Sequence, residues 1–162
     1  MDSNTDIIDQ IKAKFGNSVI DSHHFRGDQT VTVKKECILE LCKFLRDHAP
    51  LSFDFLMDLT AVDYYRKKPA RFEVVYHFYS LKYNWRMRVK VPVGEDDCLV
   101  DSVVPLWKTA DWYEREVWDL YGIKFNGHPD LRRILLYEGF KGHPLRKDYP
   151  INKRQPLIGP LN

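Results

Sequence analysis

No stretch of this chain approaches the ~20 consecutive apolar residues that a membrane-spanning helix needs, and its opening, Met1-Asp2-Ser3-Asn4-Thr5-Asp6, is acidic and lacks the apolar segment of a secretory leader. Neither a transmembrane nor a secreted protein is expected. Cysteine is scarce. Cys37, Cys42 and Cys98 are odd in number, and the first two lie five apart on a helical pattern, which fits reduced structural thiols better than a disulfide framework or a zinc site. Glycine-rich phosphate loops and a nucleophile-elbow motif are missing, so nucleotide binding and nucleophilic catalysis have no foothold. The acidic turn Gly94-Glu95-Asp96-Asp97 lacks calcium-loop spacing and reads as a solvated turn.

What is present suits one globular unit. A chain of 162 residues with 44% hydrophobic and 30% charged side chains is long enough for a single core. The net charge of +2 is unevenly spread: residues 1–121 hold 17 basic against 20 acidic side chains, residues 122–162 hold 8 against 3. The basic excess is therefore in the tail. Phosphates, anionic lipid and an acidic protein surface all remain open as its partner.

Ile7, Ile8, Ile11 and Phe15 share one face at helical spacing, and Gly16 follows as the stop. Strands are expected over 19–25 and 30–33 around the turn Arg26-Gly27-Asp28-Gln29. His23 and His24, adjacent in the first strand, point to opposite faces, one half-buried and one exposed. Ile38, Leu41, Cys42 and Leu45 define a second helix over 35–48. Three strands follow, over 53–62, 72–80 and 85–93. In the last, Arg86, Arg88 and Lys90 alternate with Met87, Val89 and Val91, and the cationic row reads as a solvated face answered by acids such as Glu73. The loop Tyr64-Tyr65-Arg66-Lys67-Lys68-Pro69 joins aromatic to basic residues, as single-strand nucleic-acid sites do. A short helix broken at Pro105 is expected over 99–107, and a final one over 111–121, with Asp111 and Glu114 as a capping pair and Gly122 as its stop. The fold class is α+β: a mixed, largely antiparallel sheet with helices packed on it (residues 1–122), followed by an extended basic tail (residues 123–162) with no sheet to join.

The final helix and the tail carry the densest polar function. Tyr113, Val117, Leu120 and Tyr121 form the helix's apolar stripe, Arg115 and Asp119 stand at i and i+4, and Glu116 and Asp119 at i and i+3. Trp112 and Trp118 imply that some of these charges are half-buried and need partners, for which the tail offers Arg132, Arg133, Arg146 and Lys147. The tail holds an echo: Gly127-His128-Pro129-Asp130-Leu131-Arg132-Arg133, then Gly142-His143-Pro144-Leu145-Arg146-Lys147. Each Pro extends its preceding His. No third ligand stands at diagnostic spacing, so hydrogen-bonded His is expected rather than a metal site.

Glu114-Arg115-Glu116-x-x-Asp119-Leu120-Tyr121, His128, then Arg132-x-Ile134-Leu135, continuing through Gly139-Phe140-x-Gly142-His143-Pro144-Leu145-Arg146-Lys147-Asp148-Tyr149-Pro150, resembles the signature of the small hydrophilic 30 kDa or C subunit of respiratory complex I, NADH:quinone oxidoreductase. Tyr137 departs from an acidic residue usual there, and Trp118 replaces another aromatic. The end at Asn162, short of the mitochondrial extension, points to the bacterial form. The resemblance implies a structural and assembly subunit of the peripheral arm, non-redox, with no catalytic residue, cofactor or metal of its own. FMN, iron-sulfur clusters, NADH and quinone would belong to other subunits. Its partners would be the quinone-site subunit and neighbouring iron-sulfur subunits, and no nucleic acid. It would meet the cytoplasmic side of the inner membrane only through the complex. The residues carried over to hold the tail and its docking surface are Glu114, Arg115, Glu116, Asp119, His128, Arg132, Arg133, His143, Arg146, Lys147 and Asp148. The equivalent subunit of a membrane-bound hydrogenase or other donor:quinone complex is a related reading. A nucleic-acid-binding α+β domain, using the 64–69 loop and the tail, is the reading from another class.

Overall fold

The computed structural model describes residues 5–156. Helix α1 (Thr5–Phe15) leads into strands β1 (Val19–Phe25) and β2 (Asp28–Val33). Helix α2 (Ile38–Asp47) follows, then β3 (Phe55–Asp63), β4 (Phe72–Ser80) and β5 (Trp85–Val93). A short strand β6 (Leu99–Asp101), helix α3 (Ala110–Tyr121) and strand β7 (Lys124–Asn126) complete the regular elements. The main sheet has the order β1-β2-β5-β4-β3, and all its pairs are antiparallel except β2 with β5, as expected for a mixed, largely antiparallel sheet.

Period-two alternation places Val31 and Val33, Leu59 and Ala61, Val74, Tyr76 and Phe78, and Met87, Val89, Val91 and Val93 on one face. There they share a single core with Ile7, Ile8 and Ile11 of α1 and with Ile38, Leu41, Cys42 and Leu45 of α2. The opposite face carries the β5 cations. Lys90 lies 3.2 Å from Glu73 and Arg88 lies 3.7 Å from Asp28, so two of its three cations are charge-paired, while Arg86 lies over the Tyr79 ring. None of the three cysteines forms a disulfide, and Cys37 and Cys42 are buried.

Four expectations change. His23 and His24 are both exposed, because β1 is the outermost strand and its surroundings leave both faces open. Residues 99–101 form a strand, not the start of a helix: Pro105 lacks an amide and restricts its predecessor, while Val100 gains burial beside Phe125 in the parallel β6–β7 pair. The first residues beyond Gly122 therefore do join a sheet, and Ile123 and Phe125 enter the core. Fourth, α3 begins at Ala110 without a side-chain cap, so Asp111 and Glu114 form no capping pair.

The β1–β2 hairpin turns on Arg26 and Gly27, both at positive φ (51° and 87°), with Phe25 opposite Asp28. Such a turn favours Asn over Arg at its first central position, since Asn tolerates left-handed backbone. Arg26→Asn should raise the unfolding free energy by ~0.5–1 kcal/mol, read by thermal or urea denaturation.

Candidate functional site

Helix α3 packs along β3, where the Tyr113 hydroxyl donates to the Met57 carbonyl at 3.0 Å. Its buried positions are Ala110, Glu114, Val117 and Asp119, so two of its carboxylates face inward while Tyr113, Leu120 and Tyr121 are half-buried. The two acids are met in opposite ways.

Asp119 is fully buried and fastens the tail. Its Oδ2 accepts the consecutive amides of Ile134, Leu135 and Leu136 at 3.1, 2.9 and 2.9 Å, and its Oδ1 accepts Arg133 Nη1 at 2.6 Å. Burial alone would push its pKa up. The Leu136 amide, the Arg133 guanidinium and the two other amides outweigh this and hold it below the usual carboxylate value. Arg133 also donates through Nη2 to the carbonyls of Phe140 (2.7 Å) and Gly142 (3.2 Å), and its guanidinium lies over Trp118. One carboxylate and one arginine thus organise the irregular chain from Arg133 to Gly142. Arg115 does not pair with Asp119 but donates to the carbonyls of Arg132 and Arg133 at 3.2 and 3.0 Å.

Glu114 is also fully buried, but its partners are neutral: Ser102 Oγ and the Val103 amide, each at 2.7 Å. Burial dominates and pushes its pKa up to about 7, against an ordinary 4.5. It ties the β6–α3 connection to the helix.

The end of α3 meets the second half of the tail. Gly122 has φ +77°, and a Cβ there would stand 2.6 Å from His143 Cδ2 and 2.8 Å from Arg146 Nη2, so glycine is required both for the left-handed turn and for this approach. His143 Nδ1 donates to the Asp119 carbonyl at 2.9 Å, and burial pushes its pKa down. Arg146 Nε donates to the Tyr121 carbonyl at 2.6 Å. His128 accepts the Asp130 amide on Nδ1 at 3.0 Å, which leaves Nε2 to donate to the Asp111 carbonyl at 3.1 Å. Both histidines are hydrogen-bonded parts of turns. No group of three or more metal-ligating side chains occurs among the described residues.

A second fastener lies outside the segment singled out in the sequence. Arg71 is nearly buried and binds Asp63 (3.0 Å), Asp148 (2.5 Å) and Glu95 (2.5 Å) at once, while Asp63 Oδ2 accepts the Lys147 amide at 2.8 Å. Burial works against both charges, yet Asp148 and Asp63 hold the Arg71 pKa above its ordinary value, and Arg71 helps hold that of Asp63 below. The sequence contains one signal for this pair. Asp63 continues the inward series Leu59, Ala61, so the alternation itself places a carboxylate on the core face. Of the residues carried over from the signature, Glu114 and His128 make their own hydrogen bonds outside both lattices, and Glu116, Arg132 and the Lys147 side chain stay outside them as well. Arg132 is exposed and pairs with exposed Asp130 at 2.7 Å.

A model of the family described as the respiratory-chain NADH dehydrogenase 30 kDa subunit matches residues 31–155. The chain belongs to this family. The 30 kDa match begins in β2 and takes in α3, both fasteners and nearly all of the described tail. The C subunit of the NADH-quinone oxidoreductase of Citrifermentans bemidjiense is 49% identical over 164 residues, covering both chains completely. That of Geobacter sulfurreducens is 45% identical over the same span. Among solved structures, the trypsin-resistant fragment of Nqo5 is 32% identical with a TM-score of 0.68, over 80% of this chain and 99% of the fragment. A chain of an archaeal membrane-bound sulfane sulfur reductase shares the fold, with a TM-score of 0.78 at 22% identity, over 93% and 88% of the two chains.

Two outcomes test the site. Arg133→Ala leaves Asp119 without its cation and should weaken attachment of the tail by about 2–3 kcal/mol, while Arg132→Ala stays within about 0.5 kcal/mol of wild type. Limited proteolysis of residues 134–156 and thermal denaturation separate the two. For Glu114, the unfolded chain releases its proton near 4.5 and the folded chain only near 7. Between those values the folded chain binds the extra proton, so stability falls as pH rises through this window, by about 3 kcal/mol in all. Glu114→Gln should remove most of that slope in denaturation curves collected from about pH 4.5 to 8.

Proposed function

We propose that this chain is a structural and assembly subunit of the peripheral arm of a proton-translocating NADH:quinone oxidoreductase, and that residues 123–162 dock it on the subunit that forms the quinone site. It carries no redox centre, and electrons pass through FMN and iron-sulfur clusters held by its neighbours. The observation that carries the docking role is the buried Asp119–Arg133 lattice, which fixes in one conformation a long stretch of chain that has no helix or strand of its own. A segment organised at that cost in buried charge supports a role as a shaped surface for another protein. NADH as the donor rests on the names of the full-length relatives. No helix among the described residues is long and apolar enough to cross a membrane. In this reading the chain meets the cytoplasmic side of the membrane through the complex.

The carried-over residues divide by task. Asp119, Arg115, Arg133, His128, His143, Arg146 and Asp148 shape the tail, Glu114 holds the connection before α3, and Glu116, Arg132 and Lys147 face the partner. A tagged chain pulled from solubilised membranes should bring down cluster-bearing and quinone-site subunits. Recovery alone, or with RNA, would sink the assignment. Arg132→Ala should leave the fold intact and reduce the amount of assembled complex. A complex that assembles in normal amount but has lost electron transfer would show that Arg132 is not a docking residue.

A further inference from the structure

The segment from Lys141 to Arg154 has no regular structure, yet it is pinned along its length. Leu145 N donates to the Leu120 carbonyl at 3.1 Å, Arg146 holds the Tyr121 carbonyl, Lys147 N donates to Asp63, and Asp148 pairs with Arg71. Gln155 closes it, accepting the Lys141 amide on Oε1 (2.9 Å) and donating from Nε2 to the Lys141 carbonyl (2.8 Å) and the Tyr149 hydroxyl (2.9 Å). Its single carboxylate, Asp148, is therefore used internally. Lys141, Lys147, Lys153 and Arg154 are exposed, and none has a carboxylate within ion-pair distance among the described residues. Between them stand two exposed aliphatic side chains, Leu145 and the fully exposed Ile151.

We infer that this pinned loop is a cationic docking face for an acidic protein surface with an apolar centre, with Ile151 and Leu145 at the middle of the contact and the four cations around it. The inference rests on the docking reading above and adds the chemistry of the partner: a face carrying several carboxylates near an aliphatic patch. Charge complementarity and preorganisation both point this way. Four like charges are held on one short loop with no internal acid left to answer them, and the loop's conformation is fixed before the partner arrives, so little ordering entropy is lost on binding. An apolar centre within a charged rim is the anatomy of a protein interface. Single-stranded nucleic acid fits less well, because it needs open aromatic faces. Here Phe140 stacks on Tyr149 and packs against Tyr137, and Tyr149 lies beneath Lys153. A lipid surface is ordinarily met by an amphipathic helix or a run of consecutive basic residues, and this loop is neither.

The test uses the full chain in a strain lacking its own copy, with the fraction in the assembled complex measured on native gels of solubilised membranes. The triple variant Lys147→Glu, Lys153→Glu, Arg154→Glu should assemble at least ~10-fold less, and the corresponding Gln triple should fall between it and wild type. Raising salt before solubilisation should lower recovery of wild type and leave the reversed variant little changed. Ile151→Asp, a single change at a fully exposed position, should also lose assembly while its thermal midpoint matches wild type. Reversed and Ile151→Asp chains that both assemble as wild type overturn the inference while leaving the subunit reading intact. So does binding of the purified chain to an RNA oligonucleotide or to phosphatidylserine vesicles that reversal abolishes without affecting assembly. A wild-type chain that never enters the complex removes the subunit reading itself, and this inference with it.

Discussion

A fully buried carboxylate must be met by donors to keep its charge, and Asp119 is the point at which this protein takes on that constraint. Its donors come from a single neighbouring stretch: the Arg133 side chain and the next three amides. Those amides have no strand or helix to satisfy them, so the dependence runs both ways. The helix needs the tail to neutralise its acid, and the tail needs the helix to complete its backbone hydrogen bonding. The left-handed turn at Gly122 makes the arrangement possible, because it lets His143 and Arg146 lie directly on the end of α3.

The Arg71 cluster extends the same logic to the sheet. Asp63 closes β3, Arg71 opens the approach to β4, and together they hold Asp148 and the Lys147 amide, more than seventy residues away in sequence. The second half of the tail is consequently registered against the main sheet rather than against the helix alone. This coupling explains why an irregular segment behaves as part of the fold, and why its cations are spent in two ways: Arg133 and Arg146 internally, Lys147, Lys153 and Arg154 outward. Glu114 stands apart from both fasteners. Its neutral partners leave it poised near neutrality while Asp119, five residues on, stays charged, so two acids on one helix are separated by the chemistry of what faces them.

Much of this is legible in the amino-acid sequence alone. Alternation of Arg86, Arg88 and Lys90 with Met87, Val89 and Val91 announced a one-sided strand, and the stripes of α1 and α2 announced the core they bury. That a half-buried α3 acid takes a basic partner from the tail followed from the number of charges on the helix and their tryptophan neighbours, and Asp119 with Arg133 fits it, whereas Glu114 takes neutral partners instead. Less legible was who pairs with whom. Helical spacing suggested Arg115 with Asp119 and a cap at Asp111 with Glu114, and neither forms, because long-range donors compete successfully for each group.

Local pattern by itself determined the five strands of the main sheet, the three helices and the turn at Gly122, because each depends on neighbours within a few positions. Tertiary structure decided the rest. The strand at Leu99–Asp101 exists only because residues 124–126 return beside it. Asp63 and Arg71 become fasteners only when Asp148 and Lys147 arrive from the far end of the chain. In each case the deciding energy is burial and satisfaction of polar groups by partners distant in sequence, a quantity that no local period encodes.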